Sequence, residues 1–185
     1  MTFQASLYGE AVAQILALDG DGYRPMPLVC SGCVPAARGA ITAKRAADLF
    51  PLASAPEAAL SGLWLYFGCF DECHTVCQDL ASAEGSYWHA ILHRQEPDAG
   101  NSGYWFRRVG RHPVYEPLAE TARQIAATEP AAGFTVSETW DPFRFVDFYE
   151  SARRTPPDAP AHRAARAVQL AEWQLLFDYC ARPRS

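Results

Sequence analysis

The chain has 185 residues, 49% of them apolar and 20% charged, and a formal net charge of -5. These are the proportions of an ordinary folded protein rather than a disordered one, and the length suits one domain that buries roughly 70% of the surface its unfolded chain would expose. The acidic balance excludes nonspecific nucleic-acid binding, which needs a broad basic face, and the most apolar run, Ala58 to Phe70, is shorter than the roughly 20 residues of a membrane-spanning helix.

The opening MTFQASLYGE lacks the basic and apolar regions of a signal peptide, so a cytoplasmic setting is expected. Phe3 to Leu18 spaces Leu7, Val12, Ile15, Leu16 and Leu18 as an amphipathic helix closed by a turn at Gly20 and Gly22. Pro25, Pro27 and Pro35 then forbid a helix across the segment that holds Cys30 and Cys33. No βαβ pattern surrounds this CxxC and no second pair exists to complete a zinc site, so it reads as a loop with two buried or half-buried thiols. A helix is predicted over Arg38 to Leu49, before Pro51.

Glu57 to Leu80 reads as one long helix opened by Pro56. Its first half, AALSGLWLYFGCF, is apolar on every side, which marks a buried, central helix. Cys69, Cys73 and Cys77 recur every four residues as small packing groups. Asp71, His74 and Gln78 share another face, which a central helix would turn inward.

The next helix starts within Ala83 to Ser86 and stops at Pro97. His89, His93 and Glu96 fall at i, i+4 and i+7, one stripe on one face, and two histidines a helical turn apart can ligate one metal. Asp71 and His74 form a DxxH, similar in spacing to the ExxH of di-iron bundles, and a connection of four to six residues would set the two helices antiparallel. Asp71, His74, His89, His93 and Glu96 are therefore candidate ligands for zinc, iron or manganese. The same residues also suit a hydrogen-bonded structural seam, or acid–base work without a metal.

A short helix from about Gly103 to Val109, capped by Asn101 or Ser102, comes next. Arg107 and Arg108 are adjacent and point about 100° apart, so one can pair with a carboxylate while the other meets a ligand. With Trp88, Arg94 and His112 they form a candidate rim for a small anionic molecule, because guanidinium matches carboxylate and phosphate bidentately. The stretch GSYWHAILHRQEPDAGNSGYWFRRVGRHPV, together with the upstream FDECHTVCQDL, resembles the signature of a family of uncharacterised bacterial proteins with relatives elsewhere. The likeness covers Leu63 to Leu118 well and the rest loosely. It implies that the stretch is one unit, and it implies no particular reaction.

Tyr115 to Thr128 is predicted helical, with Leu118, Ala122 and Ile125 inward, and Phe134 to Val136 suits a short extended piece. Asp141 caps a helix begun by Pro142, whose aromatic residues Phe143, Phe145, Phe148 and Tyr149 suit the core or the wall of a pocket. Pro160 to Ala181 should close the bundle against the Glu57 to Leu80 helix. The expectation is an all-α single domain over residues 1–185, an irregular bundle of about six to eight helices. With no G-x-S-x-G and no Gly-rich phosphate loop, three functional readings stand: a metal-dependent hydrolase or oxygenase acting on an anionic metabolite, a non-catalytic binder of a small carboxylate or phosphate ligand, or a structural seam whose protein works through an interaction surface.

Overall fold

Proline opens four of the helices at their first turn, where a missing amide hydrogen costs nothing: α2 (Pro35–Thr42), α4 (Pro56–Tyr66), α9 (Pro142–Ala152) and α10 (Pro160–Ala181). Between them lie α1 (Glu10–Leu16), α3 (Ala46–Leu49), α5 (Phe70–Gln78), α6 (Ala83–Gln95), α7 (Ala99–Val109) and α8 (Tyr115–Thr128). The computed structural model describes residues 2–183. Among them there are ten α-helices, three short 3-10 helices and no strand, so the fold is all-α, as the sequence predicts. None of these helices is long and apolar enough to cross a membrane.

Several predicted helices are divided. Gly9, at φ 96°, separates a 3-10 turn from α1 within the predicted Phe3–Leu18 helix. The Arg38–Leu49 segment splits into α2 and α3. The predicted Glu57–Leu80 helix breaks at Gly68, which sits at φ 71°, where a Cβ would lie 2.6 Å from the carbonyl oxygen of Gly32. Only glycine tolerates both that backbone angle and that approach. The residues Phe134 to Val136 are irregular rather than extended into a strand.

The same close approach joins Cys33 to Cys69 in a disulfide, with Cα atoms 4.3 Å apart. This corrects the reading of Cys33 as a loop thiol and of Cys69 as a packing group; Cys73 and Cys77 do remain buried free thiols. Thiol pairing depends on the long-range meeting of two loops, which sequence spacing does not encode. Closing a loop across a separation of 36 residues removes unfolded-state entropy equivalent to about 3 to 4 kcal/mol.

The centre of the bundle is built by α4, α6 and α10. Every residue of α4 from Ala58 to Tyr66 is buried, and so is every residue of α6 from Glu84 to Gln95. The three helices meet at Gly62. The indole N–H of Trp173 donates to its carbonyl oxygen at 2.7 Å, and a Cβ there would stand 2.5 Å from the ring of Trp88. At the polar end of α6, Arg94, wholly buried, pairs with the equally buried Glu172 of α10. Tyr87 donates to the same carboxylate at 3.1 Å, and the guanidinium lies 4.6 Å over the ring of Phe145 and 4.9 Å over that of Tyr149. Burial opposes the charge on Arg94, but attraction to Glu172 outweighs it and lifts its pKa above the ordinary value.

Candidate functional site

α6 has to be helical throughout for its stripe to form. Ser82 caps it by accepting the backbone N–H of Gly85 at 3.1 Å, and the chain stops at Glu96, before Pro97. His89 and His93 then stand one turn apart, their rings nearly parallel (19°) with centroids 4.8 Å apart. His74 arrives from α5, edge-on to both, with its ring centroid 4.6 Å from His89 and 5.7 Å from His93. The donor nitrogens of the three imidazoles all lie within 4.8 Å of one another. Tetrahedral ligation at metal–nitrogen bonds near 2.0 Å brings such nitrogens to about 3.3 Å. The difference is within reach of ring rotation, because His74 is only half buried while His89 and His93 are buried.

The surroundings orient these rings. Glu96 lies 3.0 Å from Nδ1 of His93, which places the proton on Nδ1 and leaves Nε2 as the free donor; a carboxylate behind a ligating histidine is the usual supporting arrangement. Trp105 of α7 stacks on His89 at 3.9 Å and 16°. Burial, then the proximity of His93 and of His74, lowers the pKa of His89 from 6.5 to about 4. His93 is likewise lowered, burial outweighing the attraction of Glu96. Both imidazoles are therefore neutral at neutral pH, the form that binds a metal.

That depression sets a pH dependence. The unfolded chain takes up a proton at His89 with an ordinary pKa of about 6.5, whereas the folded chain resists it until about 4, so the unfolded state binds more protons in between. In metal-free protein the urea midpoint is expected to fall as pH drops from 6.5 to 4. A His89→Leu variant should flatten that part of the profile, and an unchanged slope in the variant would remove His89 from the account.

The structure separates the other sequence candidates. Asp71 lies on the exposed side of α5, away from the clustered donors, and Gln78 is exposed as well. The break at Gly68 explains this, since α5 does not inherit the burial of α4 and turns Cys73 and Cys77 inward instead. Glu96 also lies outside the cluster and acts through His93. Trp88 is buried against Gly62 and Arg94 against Glu172, so neither borders a ligand pocket. Arg108 is exposed over the Trp105 ring, 5.2 Å from its centroid. Arg107, on another flank of α7, and His112, in the loop after it, line a cleft; His112 is buried and accepts the backbone N–H of Val114 at 3.2 Å. The helix carrying these arginines is longer than predicted, starting at Ala99 with Asp98 as its cap.

Sequence reading missed Trp105 as a partner of His89, because the contact is made between two helices. Comparisons with protein-family models, with curated proteins and with solved structures find no match to this chain.

Proposed function

We propose that the protein is a metal-dependent enzyme, with His74, His89 and His93 holding a divalent ion and a small anionic molecule as its substrate. The observation that carries this reading is the convergence of three imidazoles from two helices, two of them buried and neutral. Three nitrogens leave a position open for water, and zinc so bound lowers the pKa of that water to about 7. A non-haem iron oxygenase site uses two histidines and a carboxylate. Asp71 and Glu96, the carboxylates expected to supply that ligand, both lie outside the cluster, which favours hydrolytic chemistry with zinc over an oxygenase with iron or manganese.

The half-buried His74 marks the accessible side. Arg108, close by over Trp105, makes no hydrogen bond or ion pair among the described residues and is free to meet an anion. The resemblance of the 85–114 stretch to a bacterial family belongs to the same proposal, since that stretch supplies His89, His93, Glu96 and Trp105 together.

Plasma mass spectrometry on tag-free protein, purified without chelator, tests the reading. Near-stoichiometric zinc in the parent, and none in a His89→Ala, His93→Ala variant that keeps its circular dichroism, is the expected result. A metal-free parent, or a folded variant that retains its metal, rules out the three-histidine centre.

A further inference from the structure

Beside α7 there is a cleft of about 980 Å³ that none of the three histidines lines. Small-molecule sites commonly occupy about 300 to 1,000 Å³, with apolar walls and a few polar groups that fix orientation. The walls here are the rings of Phe106, Tyr115, Trp140 and Phe143, brought together by α7, α8 and the start of α9. The hydroxyl of Tyr115 and the indole N–H of Trp140 are shut off from solvent, so these two residues offer the cleft ring surface rather than donors.

Arg107 and Arg111 line the same cleft, and neither makes a hydrogen bond or ion pair among the described residues. The carboxylate of Asp141 is already committed, accepting the backbone N–H groups of Phe143 and Arg144 at the start of α9. Glu116 and Glu138 are on the lining too, and they oppose an anion.

We propose that this cleft binds a flat, ring-bearing organic acid. The ring lies against the aromatic walls, and the acid group meets Arg107 and Arg111. The site is independent of the histidine centre, because α7 turns Trp105 and Arg108 toward His89 and presents Phe106 and Arg107, about 100° away, to the cleft.

Titration calorimetry with naphthoate, and with the corresponding naphthyl amine as the cationic control, tests the proposal. Naphthoate is expected to saturate one site per chain, with the amine at least tenfold weaker. Arg107→Ala with Arg111→Ala should weaken naphthoate about tenfold or more, as expected for lost charge-assisted hydrogen bonds. Both side chains are exposed, so this variant should fold. Glu116→Gln with Glu138→Gln should tighten binding. The His89→Ala, His93→Ala variant should bind as the parent does, which keeps this outcome separate from the fate of the metal reading. Absence of saturable binding, or equal binding of acid and amine that ignores the arginine substitutions, overturns the proposal.

Discussion

Replacing Glu172 by Gln is expected to cost the fold about 3 to 5 kcal/mol, because it leaves the Arg94 charge buried without its counter-charge. Both side chains are fully shielded from solvent, so no water can replace the lost partner. The loss also reaches Tyr87, which donates to the same carboxylate. Removing both charges is a different matter. A buried ion pair gains little net free energy over well-packed apolar groups, so an Arg94→Met, Glu172→Met variant should recover most of the stability that the single change loses. Urea unfolding of the two variants beside the parent measures this. A single variant within 1 kcal/mol of the parent would show that the pair is not what holds α6 to α10.

The second large effect is on the histidine centre. A ligand that binds only the native state stabilises it by RT ln(1 + [L]/Kd), so zinc at a thousand times its dissociation constant should add about 4 kcal/mol. His89→Ala with His93→Ala should abolish the gain. Glu96→Gln keeps all three imidazoles but weakens the group that orients His93 at 3.0 Å; a supporting carboxylate of this kind is worth about 10- to 100-fold in metal affinity. Thermal or urea unfolding across a zinc titration separates the three cases. If Glu96→Gln matches the parent, the carboxylate is a surface contact and not a support.

Much of the helical frame is legible from residue pattern. α8 and α10 follow from spacing and proline placement, and α9 from Asp141 followed by Pro142. The i, i+4 pair His89 and His93 and the single His74 were found the same way, because a helical face follows from spacing alone. Asp71 failed because its face depends on whether α4 continues, and the break at Gly68 is fixed by contact with Gly32, 36 residues away in the chain. Glu172, the partner of Arg94, lies 78 residues from it, and no local pattern announces it. Trp88 adjoins His89 on α6 and therefore points about 100° away from the stripe, against Gly62. The aromatic cleft draws on three separate segments: Arg107, His112 and Phe143 are legible one by one as rim or pocket-wall residues, but no local pattern brings them together.

α5 has nine residues, too few to be stable alone. It is fastened by sulfur at one end, through Cys69 to Cys33, and an ion held by His74, His89 and His93 would fasten its middle to α6. A cut between residues 33 and 69 would leave two fragments joined covalently. A cut in the four-residue connection between α5 and α6 would leave two fragments with no covalent link, held by the packing of α4 and α5 on α6 and α10 and by an ion at the three histidines, so that a chelator would lower the denaturant concentration at which they part.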